Sequence, residues 1–142
     1  MAECIFCKII SGEIPAAKFL EEDGVVGFLD INPANKGHAL VVPKRHAETL
    51  IDLSPEEAGE LAKAVRRVSE AVLKASGGDG FNVLQNNYPA AGQIIPHAHV
   101  HVIPRFKDDG LDLKWKRKEY AEGEMKEFNE KLKNFLKKAP VV

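Results

Sequence analysis

Apolar and polar residues alternate along the first third of the chain with the period of strands. Residues 17–31, AKFLEEDGVVGFLDI, read as two strands joined at Glu22-Asp23-Gly24, because an Asp-Gly pair between apolar runs favours a tight hairpin. The stretch from Asn32 to Gly37 is turn chemistry: proline presets φ, and Gly or Asn tolerates positive φ. His38-Ala39-Leu40-Val41-Val42-Pro43 is then a short apolar strand stopped by proline. The period changes at Ser54-Pro55-Glu56-Glu57, where Ser54 caps a helix, Pro55 fits its first position and Glu57 completes a capping box. Leu61, Ala62, Val65, Val68, Val72 and Ala75 follow at helical spacing, and Gly77-Gly78 ends the run. Phe81 to Asn87 predicts a strand, Tyr88 to Gly92 a loop and His97 to Arg105 another strand. From about Arg117 to Lys138 a last helix is expected, with Met125, Phe128, Leu132 and Phe135 on one stripe. The order predicts an α+β fold: a mostly antiparallel five- or six-stranded sheet with one long central helix and a C-terminal helix.

Composition narrows the class. A length of 142 residues is that of one domain, here 1–142. The 44% hydrophobic and 29% charged content excludes a disordered or collagen-like chain. A net charge of -1 is not the footprint of a protein that grips duplex DNA or RNA, so no nucleic-acid partner is expected. No apolar run approaches the roughly 20 residues of a membrane helix. The start, MAECIFCKIISGEIP, has no basic region ahead of its apolar residues and carries Glu3, unlike a signal peptide. A cytoplasmic location and no membrane partner are the expectations. In a reducing compartment the pair Cys4 and Cys7 is either a metal half-site or a redox couple. Its place at the N-terminus, with no strand ahead of it, favours metal.

The segment His97-Ala98-His99-Val100-His101-Val102-Ile103 carries the chemistry. In a strand Ala98, Val100 and Val102 point into a core while His97, His99 and His101 point the other way, roughly 6.6–7 Å apart. That spacing suits two imidazoles flanking a phosphate, and equally suits shared metal ligation. A lone strand histidine is ordinarily a structural polar residue, but this row uses three of the five in the chain. Histidine titrates near pH 6.5, so it serves as nucleophile, acid or base at neutral pH. The sequence has no G-x-S-x-G elbow, no phosphate-cradling G-x-x-x-x-G-K-[ST] loop and no G-x-G-x-x-G. Asn86, Gln93 and the backbone at Ala91-Gly92 offer donors and acceptors for phosphate and ribose, and phosphorus is a target for an imidazole nucleophile. Singly these residues have blander readings: Asp30 caps a turn, Asn86 bonds its own loop, Gln93 is exposed and His38 opens a strand.

The H-x-H-x-H run resembles the signature of the histidine triad (HIT) superfamily of nucleotide hydrolases and transferases. So do Phe28-Leu29-Asp30-Ile31-Asn32-Pro33, the stretch from Gly37 to His46, Asn86 and Gly92-Gln93, so that the likeness spans about residues 3–106. The resemblance implies a HIT-like fold in which His99 attacks the α-phosphorus of a nucleotide, with His101 and His38 contacting the phosphate and assisting the leaving group. It implies that Asn86 and Gln93 hold phosphate oxygens, that Asp30 accepts from the ribose hydroxyls and that Phe19, Phe28, Leu29 and Ile31 form an apolar base slot. One branch carries C-x-x-C and binds a structural zinc. Cys4, Cys7, His46 and His97 would be that set here, with the His97 carbonyl orienting His99. Adenosine phosphoramidates or dinucleoside polyphosphates as substrates, a homodimer and no organic cofactor complete what the family implies. Two branches place a Ser or Thr after the glutamine, where this chain has Ile94. The basic-aromatic run Lys114-Trp115-Lys116-Arg117-Lys118 contacts an anionic leaving group, or is a solvated patch with Trp115 packed beneath it. Two rival readings remain open from the sequence: a catalytic zinc held by His97, His99 and His101, and a nucleotide- or partner-binding module without catalysis.

Overall fold

Strands β1 (Lys18–Glu21) and β2 (Val25–Leu29) form the expected hairpin, closed by Glu22 N–H donating to the Val25 carbonyl at 2.9 Å. With β3 (Ala39–Pro43), β4 (Gly80–Leu84) and β5 (Val100–Arg105) they make one antiparallel sheet in the order β1-β2-β3-β5-β4. The computed structural model describes residues 3–138, and the chain divides after Leu111 into two units.

The period of two sorts the strand residues onto two covered faces. Val25, Ala39, Val41, Val100 and Val102 pack against Leu61, Ala64, Val68 and Val72 of helix α2 (Pro55–Ser76). Val26, Phe28, Leu40 and Val42 meet Phe6 and Ile9 of a short helix α1 (Ile5–Ile10) on the other face. Every residue of β3 is buried, which is why that strand reads as a continuous apolar run. Helix α2 begins at the expected capping box, with Ser54 Oγ accepting from Glu57 N–H at 3.1 Å and Glu57 Oε1 accepting from Ser54 N–H at 2.9 Å. It ends at Gly77, whose φ of 68° is left-handed. Ala62 and Ala75, expected on the buried stripe, are exposed, and Ala64 takes the place of Ala62. At Gly27 a Cβ would lie 2.6 Å from Phe19 Cε1, so β2 needs glycine for Phe19 to lie over it.

The strand expected over Phe81 to Asn87 is β4, which ends at Leu84, and three further elements differ from the sequence expectation. Helix α1 is too short for periodicity to reveal, and its first turn is closed by Cys4 Sγ accepting from Cys7 N–H at 3.3 Å. The strand expected from His97 begins only at Val100: the preceding residues bend, with Ala98 N–H donating to the Ala47 carbonyl at 2.7 Å. The C-terminal helix, expected from about Arg117, is α3 (Glu124–Lys138), starting after Gly123 at φ 77°. In that second unit Met125, Phe128, Leu132 and Phe135 are 49–73% exposed. Trp115 is 84% exposed, not packed beneath its basic neighbours. Among the described residues no helix is long and apolar enough to cross a membrane.

Candidate active site

The register lines up Phe28, Leu40, His101 and Leu84 across β2, β3, β5 and β4, on the face that carries α1. The same parity brings His38, just ahead of β3, and His99, just ahead of β5, to that face, and Asp30 sits just past the end of β2. A cavity of about 540 Å³ opens there, lined by Asp30, His38, Asn86, His99 and His101. Its apolar wall contains Phe28, Leu29 and Ile31 as expected, together with Ile5, Phe6, Ile9 and Ile14. These last four were missed in the sequence; their only signal is the apolar spacing 5, 6, 9 after Cys4. Phe19, offered for the slot, lies instead over Gly27.

The hydrogen bonds assign the ring protons. His99 Nδ1 lies 2.7 Å from the His97 carbonyl, which only an N–H can satisfy, so the lone pair of the neutral ring is on Nε2. His38 Nδ1 accepts from Ala34 N–H at 3.0 Å, so its proton is on Nε2, 2.9 Å from His101 Nδ1. The His101 proton is then on Nε2. Rings of His99 and His101 are 5.0 Å apart between centroids, and Asp30 Oδ2 lies 3.7 Å from His38 Nε2. Burial pushes His38 and His99 below the usual histidine range, against the pull of Asp30 on both and of the His97 carbonyl on His99. His101 is pushed down to about 4, by burial first and then by His99 and His38. All three rings are therefore neutral at pH 7 in the free protein.

Phe6 stands edge-on to His99, 5.0 Å between centroids, and 5.5 Å from Phe28. Asn86 lines the cavity with Nδ2 3.5 Å from the Gly92 carbonyl. Gly92 has φ 97°, a left-handed conformation that glycine adopts without strain. Gln93 corrects the expectation that it is exposed or reaches the phosphate. It is 7% exposed, its Oε1 accepts from Tyr88 N–H at 2.7 Å, and its Nε2 donates to the carbonyls of Glu48 at 2.7 Å and Ile95 at 3.0 Å. A side-chain amide with both N–H groups engaged braces the loop and presents none to the cavity.

His97 leaves the row. Its Nε2 donates to the Pro43 carbonyl at 2.8 Å, which turns Nδ1 toward Cys4 Sγ at 3.4 Å and Cys7 Sγ at 3.6 Å. His46 Nδ1 lies 3.4 Å from Cys7 Sγ. The four donor atoms of Cys4, Cys7, His46 and His97 are all within 4.8 Å of one another. Tetrahedral zinc with ordinary Zn–S and Zn–N bonds separates sulfur from nitrogen by about 3.6 Å, so this donor set fits that ion. The ring N–H given to a carbonyl is the usual support of a metal-binding histidine. Burial first and then Cys4 raise the Cys7 thiol to about 11. Both nitrogens of His97 are thus turned away from His99 and His101, to the Pro43 carbonyl and the two sulfurs, and the three do not group as ligands of one metal.

Residues 11–108, which hold this sheet and the histidine cavity on one of its faces, match the HIT domain. The chain belongs to the HIT domain family. It is 39% identical over 135 residues to the adenosine 5'-monophosphoramidase hnt1 of Schizosaccharomyces pombe, covering 94% of this chain and 98% of that one. It is 46% identical over 109 residues to the adenylylsulfatase HINT3 of Arabidopsis thaliana, covering 77% of this chain but only 55% of that protein. A crystal structure from Streptococcus mutans superposes with a TM-score of 0.90 at 37% identity, covering 96% of this chain and 87% of its own.

Proposed function

We propose that the protein is a nucleotide hydrolase or transferase that cleaves adenosine phosphoramidates or dinucleoside polyphosphates at the α-phosphate, through a nucleotidyl-histidine on His99, releasing a nucleoside monophosphate. The observation that carries this reading is the 2.7 Å bond from His99 Nδ1 to the His97 carbonyl. It leaves the Nε2 lone pair on a ring that lines the cavity, beside the hydrogen-bonded pair of His38 and His101. The names of the fission-yeast and Arabidopsis relatives, a monophosphoramidase and an adenylylsulfatase, support a leaving group displaced from an adenylyl phosphorus.

In this mechanism the anionic phosphate of the bound substrate favours the protonated form of the His38–His101 pair, so a proton enters with the substrate and displaces the Ala34 N–H from His38 Nδ1. His99 Nε2 forms a bond to the α-phosphorus as the bond to the leaving group breaks. The departing electron pair stays with the leaving group, which takes the proton from His101 Nε2. Water then attacks the phosphorus, its proton returns to His101, and the electron pair of the P–N bond returns to His99. Asn86 holds phosphate oxygens, Asp30 accepts from ribose hydroxyls, and the wall from Phe28 to Ile31 receives the base. Zinc bound by Cys4, Cys7, His46 and His97 supplies a closed cross-link between the N-terminus and the chain ahead of β5. The assembly we propose is a homodimer, supported by the exposed apolar stripe of α3, and the compartment is the cytoplasm, in keeping with two free thiols.

The test is a rapid quench of a single turnover into alkaline denaturant, in which a phosphorus–nitrogen bond to histidine survives, with adenosine phosphoramidate labelled in the nucleoside. Label is expected on the protein, at His99, and absent from a His99→Ala variant. Turnover by the unaltered protein with no covalent label at any time would exclude the intermediate.

A further inference from the structure

The turn between β2 and β3 carries His38 into the site, and its hydrogen bonds decide how that ring stands. Ala34 N–H donates to His38 Nδ1 at 3.0 Å, and His38 N–H donates to the Asn35 carbonyl at 3.0 Å. Asn35 is half-buried, whereas its neighbours from Ile31 to Gly37 are exposed. Its Nδ2 donates to the Pro104 carbonyl at 2.9 Å and to Asp109 Oδ2 at 2.9 Å. Both partners are acceptors, so the amide nitrogen is the atom that faces them, with both of its N–H groups engaged. The turn closes tightly there: at Gly37, with φ 99°, a Cβ would lie 3.4 Å from Pro104 Cγ.

What Asn35 grips is itself fixed. Pro104 is fully buried in β5, the strand that also carries His101. Asp109 Oδ2 accepts from Arg105 Nε at 2.8 Å and from Phe106 N–H at 3.0 Å. Its Oδ1 accepts from Arg105 Nη2 at 3.0 Å and from Leu111 N–H at 3.0 Å. Arg105 Nη1 in turn donates to Asn82 Oδ1 of β4 at 2.7 Å. Arg105 first, then the two backbone N–H groups, hold the Asp109 carboxyl well below the usual carboxylate range, so it is an ionised acceptor at neutral pH. Asn35 thus ties the turn that bears His38 to the strand that bears His101.

We infer that Asn35 is a positioning residue: by fixing the turn to β5 it keeps the Ala34 N–H on His38 Nδ1 in the free protein, and so keeps the His38 proton on Nε2, facing His101. Asn35 does not line the cavity and acts through His38. A turn released from Pro104 loosens the Ala34 bond, and a neutral His38 then also takes the form with its proton on Nδ1. That form has a lone pair on Nε2, which cannot donate to His101 Nδ1, so the 2.9 Å contact that orients the His101 ring opens. The consequence for catalysis rests on the hydrolase reading above; the ring geometry does not.

The experiment reads the histidine ring nitrogens of the full, isotope-labelled chain at neutral pH by long-range proton–nitrogen correlation, which tells a protonated nitrogen from a bare one. His38→Gln identifies the His38 signals, and His99→Ala those of His99. In the unaltered protein His38 is expected to be bare at Nδ1 and protonated at Nε2, and His99 the reverse. Asn35→Ala and Asn35→Leu, the second of similar size to asparagine, both remove the two side-chain bonds. Each should give His38 a mixture of the two ring forms while His99 keeps its proton on Nδ1. Each should also lower kcat on adenosine phosphoramidate by about tenfold or more, with a smaller change in KM. Unchanged His38 signals in both variants, or an unchanged kcat where they do change, would overturn the positioning role. A change in His99 as large as that in His38 would overturn it too, because the variants would then disturb the whole site. The ring signals need no turnover, so an unaltered protein that cleaves nothing overturns the hydrolase reading while the spectra still decide what Asn35 does to His38.

Discussion

His97 and His99 are two residues apart and each gives a ring N–H to a backbone carbonyl, but from opposite nitrogens. His97 donates from Nε2 to Pro43 and turns Nδ1 to the sulfurs of Cys4 and Cys7. His99 donates from Nδ1 to His97 and turns Nε2 to the cavity. The carbonyl that a ring meets decides which nitrogen keeps its lone pair, and therefore whether that lone pair faces a closed group of donors or an open space. The two groups are also joined. The His97 backbone that accepts from His99 belongs to a residue held by the cysteine group, and Phe6 packs edge-on against both rings, at 5.9 Å and 5.0 Å.

The largest effect separates the two groups by chemistry. His99→Ala should lower kcat/KM on adenosine phosphoramidate by at least about 10⁴-fold, roughly 5 kcal/mol of barrier, with the melting temperature little changed. Near-normal turnover in a folded variant would break the division. Next, Cys4→Ser or a chelator should do the reverse, with a melting temperature lower by about 10 °C and turnover at 25 °C within about threefold of the starting protein. Loss of turnover with an unchanged melting temperature would mean that the cysteine group is not structural.

Smaller effects test the link between them. Phe6→Leu should cost about 1 kcal/mol, read as a shift of about 2–4 °C in melting, and should raise KM more than it lowers kcat, because Phe6 also walls the cavity. An unaltered KM would show that the two sites share stability alone. The smallest effect is in acid. His101 titrates near 4 in the folded protein and near 6.5 unfolded, so between those values the unfolded chain holds the extra proton. Stability is accordingly lost as pH falls through that window and is unaffected above it. Melting temperatures at pH 7 and pH 5 should fall less in His101→Gln than in the starting protein; an equal fall would mean that this ring is not held neutral.

Much of the fold was legible because local chemistry and tertiary packing agree. The capping box at Ser54 and the Asp-Gly turn at Gly24 lie where short-range bonding alone favours them. Helix α1 was not legible, since six residues cannot show a period and most of its support comes from burial of Phe6 and Ile9 against the sheet. Three walls of the cavity, Ile5, Phe6 and Ile9, were hidden with it. Gln93 was legible as a polar residue near the site but not as a brace, because composition does not show which carbonyls a loop will bring to an amide.

What the sequence determined by itself was the order of the strands and of the two longer helices, the parity that places His99 and His101 on one face, and a set of residue types able to bind or react. These follow from periods of two and 3.6 and from side-chain chemistry, both of which are local. Counting by two also placed His97 in that row, and there the tertiary structure decided otherwise. The chain bends before β5 as Ala98 N–H meets the Ala47 carbonyl, and Pro43 receives the His97 ring. Which way the His97 ring turns depends on a carbonyl 54 residues distant in the chain, and only folding brings that to it.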